Sequence, residues 1–296
     1  MTVHTPGAMR LALLATMAIW GGNLAVVKLL LERFDPMALS ALRMAVAALA
    51  LLAVLHWHGP GWPRLSRRQF AGMLLCGLLM IYLNQICFTL GVQRTVAANA
   101  ALVIALNPLV STLAAAALLG ERLTPARLLG VVLGFSGVAA VVLHRPGAAL
   151  GQGGLGDLLV FGSVLTWVAG GVLVQRLTRN MDSTVVSAVV NVLGTSAVVL
   201  HALLDPGTRL PDWGAVRALD WLLVALSGLL ATAVGALVWN RALVRLGVAR
   251  TALYAYWVPI FGVGFAVLLL GEPLTVWHGV GLAAVLSGTW LGTRKA

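Results

Sequence analysis

The chain of 296 residues contains the stretch Gly120-Glu-Arg-Leu-Thr-Pro-Ala-Arg-Leu-Leu-Gly130 and, 151 residues later, the stretch Gly271-Glu-Pro-Leu-Thr-Val-Trp-His-Gly-Val-Gly281. Further residues align at the same offset without a gap: Pro108 with Pro259, Gly77 with Gly228, and Ser136-Gly137 with Ser287-Gly288. So many coincident proline and glycine positions indicate that the sequence is an internal duplication.

The composition excludes most classes of protein. Hydrophobic residues make up 60% of the chain, charged residues make up 10%, and the mean hydropathy is +0.97. A soluble domain is about 45–50% apolar and about 25% charged. The chain therefore has too little charged surface for a soluble, disordered or fibrous protein, and it is predicted to be an all-α polytopic membrane protein.

Ten apolar runs are long enough to cross a bilayer, which takes about 20 helical residues. They are Met9–Leu31, Met37–Leu55, Phe70–Leu90, Ala97–Leu119, Ala126–Leu143, Leu155–Leu177, Ser183–Leu203, Trp221–Val244, Val248–Leu270 and Val276–Leu291. Residues 1–145 and 146–296 hold five runs each. Because five is odd, the two halves cross the membrane in opposite senses, so the sequence predicts two inverted five-helix repeats.

The basic residues indicate the orientation. With the N-terminus inside, 13 of the 20 Lys and Arg residues fall at inner loops and ends, and 5 fall at outer loops. Cytoplasmic loops carry such an excess, so both termini are predicted to be cytoplasmic. Topology thereby accounts for the net charge of +11, and the expected partners are the lipid bilayer and a small-molecule substrate rather than nucleic acid.

The two Gly-Glu stretches, each about a dozen residues after a proline within a span, resemble the EamA repeat of the drug/metabolite transporter superfamily. The resemblance covers nearly the whole chain in two copies. It implies ten helices and the export or exchange of small metabolites across the bacterial inner membrane. Among the branches of this superfamily, the chain looks most similar to the YddG-type aromatic amino-acid exporters.

Acidic side chains are absent from the middle of every predicted span. The nine acidic residues are Glu32, Asp35, Glu121, Asp157, Asp182, Asp205, Asp212, Asp220 and Glu272. Carriers coupled to protons or sodium, and carriers of polycations, usually need a buried carboxylate. The pattern favours a neutral or zwitterionic cargo that moves by exchange or down its own gradient, although backbone carbonyls alone could still hold sodium.

Two cations lie inside predicted spans, and both are candidates for a gate or for contact with a substrate carboxylate. Lys28 lies in the last turn of the first span, where it can snorkel outward or pair with Glu32 one turn away. Arg43 lies about 10 Å along the second span from Pro36, which is too deep for its side chain to snorkel in the same way. Arg43 either binds a substrate carboxylate or closes an outer gate with Glu32 or Asp35 as partner, or it is one half of a structural ion pair.

Aromatic and amide side chains recur at helical spacing in several spans, and Thr16-x-x-x-Trp20 is repeated as Ser163-x-x-x-Trp167. Such faces either pack against other helices or line a cavity, because polar groups that face lipid are costly. As a set they predict a cavity whose aromatic faces bind a side chain and whose amides orient a polar end. The candidate substrate-binding residues are Trp20, Asn23, Tyr82, Gln85, Asn99, Asn107, Trp167, Tyr254 and Trp257.

Pro108 and Pro259 occupy matching positions within their spans and should kink them, either as hinges or as static bends. The patterns Gly130-x-x-x-Gly134 and Gly288-x-x-x-Gly292 permit close helix contact in the fifth and tenth spans. These two helices either pack against each other or form the face of a homodimer.

These observations predict an inner-membrane transporter that exports or exchanges hydrophobic and aromatic amino acids by alternating access. Alternatives are efflux of lipophilic drugs or nucleosides by the same fold, a channel, and a membrane-embedded enzyme. No catalytic, metal or cofactor motif is present, so no enzyme activity, metal or cofactor is expected. Gly151-Gln-Gly-Gly-Leu-Gly156 matches a dinucleotide pattern, but no strand precedes it, and it is expected to be a linker between the halves.

Overall fold

A computed structural model describes residues 6–58, 64–95, 100, 103–144, 154–209, 211, 214, 216–270 and 275–293. Every regular element in these ranges is helical. The α-helices are α1 (Pro6–Leu30), α2 (Pro36–His58), α3 (Arg67–Gly77), α4 (Asn84–Val92), α5 (Asn107–Leu119), α6 (Pro125–Leu143), α7 (Leu155–Leu177), α8 (Ser183–Leu204), α9 (Ala218–Leu226), α10 (Gly235–Leu246), α11 (Val248–Leu253), α12 (Trp257–Leu270) and α13 (Val276–Thr293).

Five helical rods are long and apolar enough to cross a membrane: Pro36–Trp57, Arg67–Gly91, Leu155–Leu177, Ser183–Leu204 and Ala218–Leu246. They coincide with the second, third, sixth, seventh and eighth predicted spans. The other predicted spans also contain helices, among them α1 and α13. The all-helical membrane class is therefore confirmed, and the count of ten spans stays a prediction.

Side chains in the loops fix where several helices begin. The Asp35 carboxylate accepts the backbone N–H groups of Met37 at 2.9 Å and Ala38 at 3.2 Å, and it thereby caps α2. Asp182 caps α8 in the same way, with Thr184 N–H at 2.7 Å. These caps use carboxylates at the ends of helices, outside the apolar interior.

Two rods each change from α- to π-helix partway along their length. The first π segment is Leu78–Leu83, between α3 and α4, and the second is Ser227–Val234, between α9 and α10. At the offset of 151 residues, the first segment falls within the second. π-Helical turns are rare and are frequent at functional sites. They also move the residues that follow to a different face of the helix.

Glycines allow backbones to touch beside both π segments. A Cβ atom on Gly77 would lie 2.9 Å from the backbone nitrogen of Gly194, and one on Gly228 would lie 2.7 Å from the carbonyl oxygen of Arg43. The offset of 151 residues carries Gly77 to Gly228 and Arg43 to Gly194. The same helix contact therefore occurs twice in the molecule.

Helices α6 and α13 pack against each other through their glycines. A Cβ atom on Gly130 would lie 2.6 Å from the carbonyl oxygen of Gly288, and one on Gly137 would lie 2.8 Å from that of Gly281. These two contacts are also related by the offset. Of the two alternatives for this glycine pattern, the structure therefore shows packing within the chain.

The two matching prolines stand at the starts of helices rather than within continuous ones. Pro108 is the second residue of α5 and follows a turn at residues 105–106. Pro259 is the third residue of α12 and follows the 3₁₀ turn Tyr254–Tyr256. In place of the expected kink, one helical segment ends before each proline and the next begins just ahead of it. Proline is tolerated there because the first turn of a helix does not need its N–H. The hinge role of both prolines stays a prediction.

Gly130→Ala is expected to lower the stability of the protein by about 1–3 kcal/mol, because the new methyl group would meet backbone atoms of α13 that cannot move aside. The control is Gly279→Ala on α13, where a Cβ atom would meet nothing within 4 Å. Thermal unfolding of the two variants in detergent measures the difference. Equal unfolding temperatures would contradict the packing described for α6 and α13.

Candidate functional site

A cavity of about 170 Å³ lies between α1, α2, the two rods that contain π segments, α7 and α8. Tryptophans and amides dominate its wall, together with one cation and a few apolar side chains. Its lining residues are Trp20, Asn23, Arg43, Met44, Met80, Ile81, Asn84, Gln85, Trp167, Val190, Asn191, Ala231, Thr232, Ala236, Trp239 and Asn240. No carboxylate is among them.

Three tryptophans form one side of the cavity. The ring centroids of Trp20 and Trp239 lie 5.4 Å apart, those of Trp167 and Trp239 lie 5.8 Å apart, and those of Trp20 and Trp167 lie 6.1 Å apart. Trp20 Nε1 donates to the carbonyl oxygen of Ala231, inside the second π segment, at 2.7 Å. Trp20, which belongs to the first half of the chain, is therefore held by a hydrogen bond to the second half.

Arg43 reaches the cavity from α2 and is 9% exposed. Its Nε atom donates to Ser227 Oγ at 2.6 Å, and Ser227 Oγ donates to Asn23 Oδ1 at 2.5 Å. Ser227 begins the second π segment, so Arg43 is joined to that segment and to α1.

The expected pairing of Arg43 with Glu32 or Asp35 is not formed. Asp35 is the cap of α2, and Glu32 is exposed in the turn after α1. Throughout the described ranges, no carboxylate oxygen lies within 4 Å of the Arg43 guanidinium. Among the described residues, the one hydrogen-bond partner shown for the Arg43 guanidinium is therefore a neutral group, the hydroxyl of Ser227.

Five residues that the sequence predicted for the site line the cavity: Trp20, Asn23, Arg43, Gln85 and Trp167. Asn99 and the side chain of Lys28 lie outside the described residues. The proposed Lys28–Glu32 pair therefore stays a prediction.

Four predicted binding residues lie away from the cavity wall. Tyr82 Oη is hydrogen-bonded to His201 Nδ1 at 3.0 Å, and Asn107 Oδ1 accepts from Ser111 Oγ at 3.1 Å. Trp257 Nε1 donates to Thr289 Oγ1 at 3.2 Å, and Tyr254 is buried in the apolar core. Tyr82 lies in the first π segment, so a face drawn with α-helical spacing misplaces it.

Several cavity residues were not predicted, namely Met80, Asn84, Asn191, Trp239 and Asn240. Asn191 and Asn240 are amides in the middle of apolar runs, which is a signal that the sequence does contain. They have no aromatic neighbours at helical spacing that would have placed them on a common face. Asn84 Nδ2 donates to the carbonyl oxygen of Ser163 at 2.8 Å, which ties α4 to α7.

The first Gly-Glu stretch connects the two halves of the chain beside α11. Glu121 Oε1 accepts the backbone N–H of Val248 at 3.1 Å, and Glu121 Oε2 lies 3.4 Å from Arg127 Nη1. Gly247 has a φ of +85°, and a Cβ atom there would meet Glu121 Oε1 at 2.6 Å. A glycine is therefore required for this contact. The matching residues 271–274 lie outside the described residues.

Within the described part of the chain, no group of three or more His, Cys, Asp or Glu side chains could hold a metal ion. The cavity offers a cation, hydrogen-bonding amides and aromatic faces instead. This arrangement is suited to binding a small organic molecule that has both a polar and an apolar end.

The sequence profile of the EamA-like transporter family matches the chain twice, over residues 8–143 and over residues 154–294. The chain belongs to the EamA-like transporter family. It is therefore a multi-pass membrane protein of the drug/metabolite transporter superfamily.

Other transporters resemble this EamA-like transporter along most of their length. YetK of Bacillus subtilis is 24% identical over 96% of this chain and 86% of its own, and it is described as an uncharacterized transporter. An uncharacterized transporter of Archaeoglobus fulgidus is 28% identical, over 96% and 97% of the two chains. The inner membrane transporter YedA of Escherichia coli is 26% identical, over 95% and 89%. None of these names gives a cargo.

A crystal structure of another protein superposes on this EamA-like transporter with a TM-score of 0.80. The match covers 97% of this chain and 96% of that one at 20% sequence identity. At this level of identity, the match shows the fold alone.

Ser227→Ala is expected to destabilise the transporter by about 1–3 kcal/mol, because it leaves Arg43 Nε and Asn23 Oδ1 without their partner. Thermal unfolding in detergent measures the effect. The control is Ser40→Ala on α2, a buried serine whose hydroxyl donates only to the carbonyl of Pro36 in its own helix. If the two variants unfold at the same temperature, Ser227 does not hold Arg43 as described.

Proposed function

We propose that this transporter exports or exchanges hydrophobic or aromatic amino acids, and related small metabolites that carry a carboxylate, by alternating access through the central cavity. This proposal includes the YddG-type branch of the family. It depends above all on one observation, namely that Arg43 lies in the cavity wall and that no carboxylate of the described residues lies beside it.

The position of Arg43 supports a cargo that carries a negative group. A cation in the middle of a bilayer costs about 2.5–3.5 kcal/mol on insertion scales. A planar guanidinium binds a carboxylate through two parallel hydrogen bonds, which is its most favourable pairing. Ser227 uses only Nε, and no other described residue is shown bonded to the terminal nitrogens of Arg43, so these nitrogens can form such a pair.

The three tryptophans support an apolar or aromatic side chain on the same cargo. Their rings offer flat faces and edges at the spacing at which aromatic groups attract one another. The volume of about 170 Å³ lies below the roughly 300–1,000 Å³ of sites for drug-sized ligands. Both properties favour an amino acid over the alternatives of a lipophilic drug or a nucleoside.

The repeated contacts support alternating access by two inverted repeats, residues 1–145 and 146–296. Helices α6 and α13 touch through Gly130 and Gly288, and they touch again through Gly137 and Gly281, the positions that the offset of 151 residues relates to the first two. Thr195 Oγ1 donates to the carbonyl of Met44, a residue 151 positions earlier, as expected for two residues that face each other across a pseudo-two-fold axis. When two halves of similar fold exchange their conformations, a central site that was open to one side of the membrane becomes open to the other side.

Ion coupling through a carboxylate is not part of this proposal. The described acidic side chains serve as caps or lie at the ends of helices, as Asp182 and Asp220 do. Among the described residues that form the cavity wall, none is acidic. We therefore infer that the transporter works by exchange or down the gradient of its cargo.

Arg43→Gln is expected to reduce counterflow of labelled L-phenylalanine in proteoliposomes at least about tenfold, because the loss of one charged hydrogen-bonding pair is worth a factor of this order. The control is Arg209→Gln, which removes an exposed charge outside the cavity and should leave counterflow unchanged. Proton and sodium gradients should have no effect on the wild-type rate.

Two results would contradict the proposed cargo. One is counterflow of L-phenylalanine that is equally fast in Arg43→Gln and in the wild type. The other is rapid movement of a cationic drug by the wild-type protein with no movement of any amino acid.

A further inference from the structure

Two asparagine side chains in the cavity wall carry oxygens that have no hydrogen-bond partner. Asn191 lies on α8 and Asn240 lies on α10, and each is 2% exposed. The Oδ1 atoms of both are buried without a donor. Buried amide oxygens are nearly always paired, so each of these two needs an explanation.

Ser187 fixes the orientation of both amide groups. The hydroxyl of Ser187 donates its one hydrogen to the carbonyl of Ser183 at 2.7 Å, so its Oγ can only accept from Asn240 Nδ2 at 2.9 Å. Asn191 Nδ2 donates to the carbonyl oxygen of Ser187 at 3.0 Å, and a carbonyl cannot donate in return. If the Asn191 amide were turned over, two acceptors would face each other, and if the Asn240 amide were turned over, the Ser187 hydroxyl would have to leave the carbonyl of Ser183 to donate to it. Both Oδ1 atoms must therefore point away from Ser187.

The polar groups of the cavity are thereby divided into two kinds. Arg43 supplies cationic donors, and the buried Trp239 Nε1 is a further donor with no partner. Asn191 and Asn240 supply neutral acceptors. Donors of this kind suit a carboxylate, and neutral oxygens suit a cationic N–H group. A zwitterion would satisfy both sets and would leave the net charge of the cavity unchanged.

We infer that Asn191 and Asn240 together form the subsite for the ammonium group of the cargo. This inference rests on the proposed function, and it deepens that function by naming the residues that distinguish an amino acid from the corresponding simple carboxylic acid. Neutral amide oxygens fit this task because the charge of the ammonium group is already balanced within the zwitterion.

The test compares three probes that share one phenyl ring: L-phenylalanine, 3-phenylpropanoate without the ammonium group, and 2-phenylethylamine without the carboxylate. Their affinities for the full-length protein in detergent are measured by calorimetry, with and without sodium. The wild type should bind L-phenylalanine about 10- to 100-fold more tightly than 3-phenylpropanoate, the factor expected for hydrogen bonds to a charged group. Sodium should not alter this ratio.

Asn191→Leu and Asn240→Leu should each lower the preference for L-phenylalanine markedly, while 3-phenylpropanoate binds as before. The control is Asn180→Leu, the same substitution at an exposed amide after α7 and outside the cavity wall, which should keep the wild-type ratio. If a leucine variant does not fold, Asn240→Asp provides the test. It should strengthen binding of 2-phenylethylamine and weaken binding of 3-phenylpropanoate.

Three outcomes would overturn the inference. Equal affinities of the wild type for L-phenylalanine and 3-phenylpropanoate would leave the carboxylate site intact but remove the ammonium subsite. A second outcome is that the wild type prefers L-phenylalanine only when sodium is present, and that the leucine variants lose both the preference and its dependence on sodium. This result would assign the two oxygens to an alkali cation. If the leucine substitutions weaken the binding of both probes equally, the two asparagines contribute to packing and not to recognition of the ammonium group. If the folded wild type binds no carboxylate probe at all, the proposed function itself fails.

Discussion

The buried guanidinium of Arg43 is the constraint around which the cavity is built. A charge that is 9% exposed in an apolar helical bundle needs partners, and within the described residues those partners are the hydroxyl of Ser227 and, beyond it, the amide of Asn23. Gly228, the neighbour of Ser227, lets the π-containing rod approach the backbone of Arg43 itself. The same contact therefore sets both the packing of α2 against this rod and the position of the Arg43 guanidinium.

The π segments and the glycines together explain how an apolar bundle can contain a polar cavity. Close glycine contacts between α6 and α13, and between the π-containing rods and their neighbours, remove the need for large apolar side chains at these contacts. Thr232 in the second π segment, and Asn84 directly after the first, then lie at a common interior. Three tryptophans close one side, so the cavity combines aromatic faces with hydrogen-bonding groups.

The sequence predicted some of the cavity residues that lie on regular helices. Trp20, Asn23 and Trp167 line the cavity because α1 and α7 run without interruption, so 3.6-residue spacing places their side chains correctly. Tyr82 was misplaced because it lies within a π segment. Asn240 was missed because its orientation depends on Ser187, which lies on a distant helix, a contact that no local pattern reveals. Asn191 was missed although Ser187 lies one turn away on its own helix, because nothing in that local spacing shows that the face borders a cavity. The membrane class followed from composition alone.

The central claim is that a single cavity beside Arg43 faces the two sides of the membrane in turn. Ala236 lines this cavity, so Ala236→Cys, in a protein in which Cys76 and Cys87 are replaced by alanine, reports its exposure. A membrane-impermeant thiol reagent is applied to vesicles of either orientation. The account predicts labelling of this cysteine from both sides, and slower labelling from both sides in saturating L-phenylalanine. Labelling from one side alone, whatever the gradient of the amino acid, would contradict it.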